Sequence, residues 1–270
     1  MADLSDGLVA YYPFDGNAQD ASGNGNHGTV NGATLTEDRF GNPESAYSFN
    51  GINNYIDLGN VIATNVFSFS VWFTTNSSKR NQTILGNYRP CSYVDTGFIL
   101  INYGREIESG GPRLQLNKNA ALDYSEDIAD NRWHHVVGVF GNNSFYFYVD
   151  GILRGSETGS YNQTSINTKV GAADAISGGC GVTGESYFNG KIDDIRIYNR
   201  VLSKSEIQQL YKMDNKPSDN CWATYENGNL HIPCLKVKGP FDEDLHYEAD
   251  MQYEPLSEPM TFQVTGVKPK

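Results

Sequence analysis

His134-His135-Val136-Val137-Gly138-Val139-Phe140 and Ser144-Phe145-Tyr146-Phe147-Tyr148-Val149 stand on either side of Gly141-Asn142-Asn143. Both flanking runs are rich in β-branched and aromatic residues, which suit a pleated surface, and the three residues between them suit a turn. The arrangement predicts a β-hairpin. Asp150-Gly151 opens another turn at its far end. Upstream, Phe67-Ser68-Phe69-Ser70-Val71-Trp72-Phe73 alternates large apolar with small polar residues, the period of a strand with one buried face.

Further short strand candidates lie outward from these: Leu8–Phe14, Tyr55–Leu58, Thr83–Gly86, Gly97–Tyr103 and Arg113–Leu116. No helical pattern intervenes before about Gly190. Regular strands without crossover helices predict an all-β fold, an antiparallel β-sandwich or jelly roll over residues 1–213. The 28 glycines and 17 tyrosines agree with many short strands joined by tight turns. One short helix closes this region, because Ser203-Lys204-Ser205-Glu206 is a capping box followed by Ile207, Leu210 and Tyr211 on one side.

Residues 214–220 are polar, contain Pro217 and read as a linker. Residues 221–270 then read as a small accessory β module. Cys221 and Cys234 flank a strand, Asn227-Gly228 turn, strand pattern, which predicts a disulfide across the base of a hairpin and hence an oxidising compartment. About fifty residues bury little core, so this module needs its disulfide or a neighbouring sheet. Cys91 and Cys180 form a second bridge only if two distant loops meet; otherwise they are free thiols.

The formal charge of −12, with no basic cluster, excludes phosphate-neutralising contacts with nucleic acid. No apolar run is long enough to span a bilayer, so no membrane insertion is expected. Met1–Asp6 does not read as a signal peptide. Asn76, Asn81, Asn142 and Asn162 begin Asn-x-Ser/Thr sequons.

Asp20-Ala21-Ser22-Gly23-Asn24-Gly25-Asn26-His27-Gly28 combines a carboxylate, a hydroxyl, amides and glycines. Such an oxygen-rich irregular segment suits a hard cation such as Ca²⁺, and equally an ordinary Asn/Gly turn. Ligand recognition has different requirements: aromatic faces for sugar rings and planar polar groups for hydroxyls. Asn87, Tyr88, Arg89 and Tyr93 offer that combination around Cys91, and Tyr103 with Arg105 repeats it at the end of a strand.

Four ordered motifs resemble the laminin G-like, concanavalin A-like jelly-roll domains over about residues 7–212. They are Gly7–Asp15 with the Asp20–Gly28 loop, Phe49-Asn50-Gly51 with Tyr55–Leu58, Trp133–Val136 leading to Tyr148–Gly151, and Gly190–Arg200 followed by Leu202-Ser203 and Glu206-Ile207. The module from Cys221 onward lies outside the resemblance. The resemblance implies a structural Ca²⁺ tying the N-terminal segment to the last strand. It would use Asp20, Asn24, a backbone carbonyl near His27, and Asp193, with Asp194 as the competing carboxylate. Neighbouring strand residues point to opposite faces, so only one of that pair is expected at the metal. The alternative is that Asp193 and Asp194 pair with Arg196 or Arg200.

Some relatives hydrolyse glycosides with two carboxylates facing the scissile bond. No Glu-x-Asp-x-x-Glu pattern occurs here; Glu106 and Glu108 run into a Gly-Gly-Pro loop, and Asp123, Glu126 and Asp127 read as a solvated loop. His134 and His135 alternate on a strand and cannot chelate one ion together. The expectation is a non-catalytic, secreted or cell-surface binding module whose partner is a glycan or a cell-surface or matrix protein. The alternatives are an adhesion component of a surface assembly and a polysaccharide hydrolase.

Overall fold

The computed structural model describes residues 3–77, 79, 81–87, 97–102, 111–116, 120–126, 128–161, 165–173 and 187–213, and beyond these the strand backbone at 224–226, 229–238, 244–253 and 262–269. The chain divides into two compact units, Met1–Met213 and Asp214–Lys270.

The first unit opens with Leu8–Tyr12 (β1), Thr29–Asn31 (β2), Thr34–Thr36 (β3), Ala46–Asn50 (β4) and Tyr55–Asp57 (β5). Phe67–Thr74 (β6), Gln82–Gly86 (β7), Phe98–Asn102 (β8), Pro112–Leu116 (β9) and Ala120–Asp123 (β10) follow. His134–Phe140 (β11), Ser144–Val149 (β12), Ile152–Thr158 (β13), Lys169–Val170 (β14) and Asn189–Tyr198 (β15) complete the strands. Lys204–Met213 (α1) is the helix. The strands form two antiparallel sheets, ordered β13-β12-β11-β6-β15-β4-β3, with β1 also on β15, and β10-β9-β8-β7-β14-β5-β2. The fold is the expected β-sandwich with one short helix.

The opening hairpin forms as its residues dictate. Val136 faces Val149 and Phe140 faces Phe145, and Gly141 N–H donates to Ser144 O across the turn. Asp150 and Gly151 both have positive φ, the geometry a tight turn between right-twisted strands requires. Gly138 is demanded by packing: a Cβ there would lie 2.4 Å from Phe69 Cε1. Phe69 itself is locked between the sheets, stacked on Phe98 at 5.1 Å.

β6 differs from its expected single buried face, because all eight of its residues are buried. Phe67, Phe69, Val71 and Phe73 join the core between the sheets. The other face is covered as well, with Trp72 stacked on His135 and on Tyr211 of α1. Its small polar residues survive burial because they are paired. Ser70 Oγ meets His135 Nε2 at 2.7 Å, and Ser68 Oγ donates to Arg200 O and accepts from Leu202 N–H. A second apolar cluster beneath α1 contains Val137, Val139, Tyr198, Leu202, Ile207 and Leu210.

The capping box closes as read: Ser203 N–H donates to Glu206 Oε2 and Glu206 N–H donates to Ser203 Oγ. Among the described residues, no helix is long and apolar enough to cross a membrane.

In the second unit, Thr224–Glu226 (β16), Asn229–Lys238 (β17), Asp244–Tyr253 (β18) and Phe262–Pro269 (β19) form an antiparallel sheet in chain order. Glu226 pairs with Asn229, consistent with the expected hairpin. The β17–β18 register breaks between Ile232 and Leu235, where Pro233 has no N–H to offer the ladder.

Glu206 also binds Arg200 Nη2 at 2.7 Å, and that hydrogen bond is the main force holding its carboxyl down to about 2 from an ordinary 4.5. As pH falls, the unfolded chain takes up this proton first. The stabilisation is complete above about pH 4.5 and lost toward about pH 2. In urea denaturation across that window, wild type should lose stability more steeply than Glu206→Gln; parallel losses would remove this carboxylate from the acid response.

Candidate functional site

β15 is shared. Its first part, Asn189–Ile192, pairs with β4, and its last part, Ile195–Tyr198, pairs with β1 on the same side. Its register with β6 breaks between Asp193 and Arg196, and Asp194 sits at φ 47°. This bulge turns the two neighbouring carboxylates toward one guanidinium, Arg39, which bonds Asp193 through Nη1 and Asp194 through Nη2. The expectation that only one of the pair could face a given partner is therefore corrected. Strand alternation does not hold through a bulge.

Arg39 stands 4.4 Å from the Phe40 ring centroid and 4.9 Å from that of Trp72. Asp194 also meets Arg196 at 3.5 Å, one of the pairings weighed from sequence, while Arg196 packs 4.2 Å from the Tyr11 ring centroid. Burial first, and the Asp194 charge second, raise the Asp193 carboxyl well above its ordinary range; Arg39 pulls it back.

The Asp20–Gly28 loop is organised around other partners. Asp20 Oδ1 accepts from Tyr11 N–H and Ser22 N–H, and Oδ2 accepts from Asn26 N–H. Burial pushes this carboxyl up, but the hydrogen bonds from Ser22, Tyr11 and Asn26 prevail and hold it below the usual carboxylate range. Asp20 N–H donates to His27 Nδ1, and Ala21 N–H donates to Tyr11 O. The loop thus lines the outer edge of β1 in place of another strand. A register shift between Leu8 and Ala10 frees the Val9 carbonyl, which accepts from Ser22 Oγ, Asn24 Nδ2 and Asn26 Nδ2.

Asp20, Asn24 and His27 are thus brought together, whereas Asp193 is committed to Arg39. Asp193 would have to leave that ion pair to share a cation with Asp20. Among the described residues, no three His, Cys, Asp or Glu side chains are placed to hold a metal ion. The link between loop and closing strand is made by Tyr11. Its N–H binds Asp20, and its hydroxyl donates to Asp194 Oδ1.

Asn87 is buried, with its amide donating to Tyr161 Oη and accepting from Phe98 N–H, so it braces β7 against β8 and offers no surface to a ligand. Tyr88, Arg89, Tyr93, Tyr103 and Arg105 lie outside the described residues, as do Cys91, Cys180 and Cys221; Cys234 is described only as backbone within β17. His134 binds Asp150 and Asp130, while His135 is fully buried on the other face, where desolvation lowers its pKa to about 3. Both are structural in this setting.

A polar cleft of about 550 Å³ lies beside the loop. Its floor is the outer face of β2 and β5, where Asp57 pairs with Thr29 and Tyr55 with Asn31. His27, Asn60 and Asn167 stand around it. Gly25, Asn26 and His27 belong to the loop singled out from sequence, whereas Tyr55, Asp57, Asn60 and Asn167 join it only through strand pairing, and no local motif marked them as a site.

Removing Arg39 would leave two buried carboxylates without their counter-charge. Arg39→Ala should lower the unfolding free energy by about 3–5 kcal/mol in urea titration, and Arg39→Met nearly as much despite its volume. A loss below about 1 kcal/mol would show that the bulge is held by other contacts.

A family model described as the concanavalin A-like lectin/glucanases superfamily (Laminin_G_3) matches residues 50–208. Domain 4 of AbnA, a GH43 extracellular arabinanase from Geobacillus stearothermophilus, in complex with arabinotriose, is 21% identical with a TM-score of 0.60, covering 76% of this chain and 98% of that one. The binding domain of Paraclostridial Mosquitocidal Protein 1 is 16% identical with a TM-score of 0.59, covering 97% of this chain and 69% of that one. The binding domain of botulinum neurotoxin DC in complex with SialylT is 14% identical with a TM-score of 0.58, covering 97% and 78%. At these identities the likenesses show a shared fold. The family match spans more than half of the sequence, and the chain belongs to the laminin G-like group of the concanavalin A-like lectin/glucanases superfamily.

Proposed function

We propose that the chain is a non-catalytic extracellular binding module that recognises carbohydrate or a surface partner. The observation that carries this reading is the polar cleft beside the Asp20–Gly28 loop, the clasp that fastens onto β1. Among the residues lining it, Asp57 is the one carboxylate, whereas glycoside hydrolysis needs two across the scissile bond. The arabinotriose complex of the arabinanase domain, and the neurotoxin binding domains described with SialylT and with rat synaptotagmin II, support a glycan or protein partner.

Calcium enters the proposal as a stabiliser of the loop, without Asp193. The Leu8 and Val9 carbonyls and the Ser22 hydroxyl gather around the Asn24 amide, beside Asp20. These are the hard oxygen donors that Ca²⁺ prefers. A second reading, an adhesion component of a surface assembly, is favoured by the compact separate unit at Asp214–Lys270.

A glycan array run with the full chain in calcium and in chelator tests the first reading, with binding expected in both and a higher melting temperature in calcium. Silence on the array would sink carbohydrate recognition; equal melting temperatures would remove calcium. Removing residues 217–270 tests the second reading. Glycan binding should persist, and loss of self-association in the shortened chain would support an assembly role.

A further inference from the structure

The cleft on the outer face of the smaller sheet carries a more specific reading. Ile56 is fully buried in the core, so its strand neighbours Tyr55 and Asp57 project to the opposite, solvent-facing side. Asp57 is held in place there, since Oδ1 accepts from Gly59 N–H at 2.9 Å and Oδ2 from Asn167 Nδ2 at 3.2 Å. Lys169 Nζ stands 5.1 Å from the Tyr55 ring centroid. The clasp loop supplies one wall. His27 Nδ1 accepts from Asp20 N–H, so a neutral ring carries its proton on Nε2 and remains a donor. Gly25 and Gly59, both on the cleft, have no neighbouring atom within 4 Å of where a Cβ would be, which leaves the mouth open.

The chemistry of this lining selects a ligand class. Asn31, Asn60 and Asn167 each carry donors and an acceptor on one planar group, matching hydroxyls that both donate and accept, although Asn31 gives one N–H to Thr29 O and Asn167 one to Asp57 Oδ2. Tyr55 adds an aromatic surface for the C–H face of a sugar ring. Leu58 and Val61, the aliphatic members of the lining, are buried, so the cleft has no exposed apolar wall for an acyl chain or for the large anchor of a protein partner. Arginine is absent from the lining, and the charges around Tyr55 are one carboxylate, Asp57, offset by one ammonium, Lys169, so no net positive charge is offered to a sulfate or carboxylate. The volume falls within the range of small-ligand sites, about 300–1,000 Å³.

The geometry points to a binding site for a short neutral oligosaccharide in this cleft, with Tyr55 as the stacking surface and Asp57, Asn60, Asn167 and His27 as the hydroxyl-binding groups. This assignment rests on the binding-module reading and locates its site away from residues 87–93 and 103–105. It also gives the clasp loop a second role, since the same hydrogen bonds that fasten it to β1 hold His27 at the cleft.

The test uses the full chain on an array of neutral pentose and hexose oligosaccharides alongside sialylated and sulfated glycans. Titration calorimetry follows with the neutral probe that gives the strongest signal. Tyr55→Ala and Asn60→Trp are compared with wild type, with melting temperatures measured in parallel. Wild type should prefer neutral probes, and each variant should bind about tenfold more weakly or worse, a change of about 1.4 kcal/mol. Should Tyr55→Ala unfold, Asn60→Trp decides alone, because it fills the cleft from an exposed position. Full-strength binding by Asn60→Trp, or a preference for acidic glycans, overturns the assignment and leaves the binding-module reading standing. Silence across the whole array overturns the assignment and carbohydrate recognition with it, leaving only a protein partner for the module.

Discussion

A guanidinium buried between two adjacent carboxylates holds the larger sheet together at its weakest point. β15 must serve two partners on one side, β4 and then β1, and the ladder breaks where one hands over to the other. The break leaves a bulge with Asp194 in the left-handed region. Its strain and its two desolvated charges are tolerable only because Arg39 answers both carboxylates and Arg196 and Tyr11 complete the group. Arg39 reaches the site from the turn after β3, so the edge of the sheet is also tied to its centre. The cluster is a fastening built from charges that would each be costly alone.

Tyr11 carries that fastening outward. Through its hydroxyl it belongs to the carboxylate cluster, and through its backbone it belongs to the clasp loop. The bulge near Val9 completes the arrangement, because a carbonyl expelled from the ladder is claimed by three side-chain donors of the loop. An edge strand that would otherwise present unpaired backbone groups is thereby covered. The loop's ordered conformation brings Gly25–His27 to the cleft, and this is the route by which sheet closure governs the candidate site.

What could be read from sequence was whatever depends on near neighbours. The β11–β12 hairpin, the Ser203–Glu206 capping box and the turn at Asp150-Gly151 are each specified within a few residues, and each formed as read. β6 showed its period correctly, yet its second buried face comes from α1 and the 38–40 turn, which alternation cannot announce. Asp193 and Asp194 looked like opposite-facing strand residues because a bulge is set by what pairs on either side. Asn87 has the side chain of a ligand-binding residue and the position of an interior brace; only its depth below the surface distinguishes them. The cleft draws on residues 25–27, 55–61 and 167, which lie far apart until β2, β5 and β14 pair.

The pairing of the first strand with the last also sets an order of events. Tyr11 and Asp194 are 183 residues apart, so on a chain emerging from the ribosome β1 has no strand to pair with until almost the whole first unit has been made. Contacts of such long range close slowly. The interior hairpins can assemble beforehand, leaving the N-terminal segment to lock onto an already formed sheet. Until then the end of β15 that takes β1 stands open, and in that interval the newly made protein is most exposed to association with its neighbours.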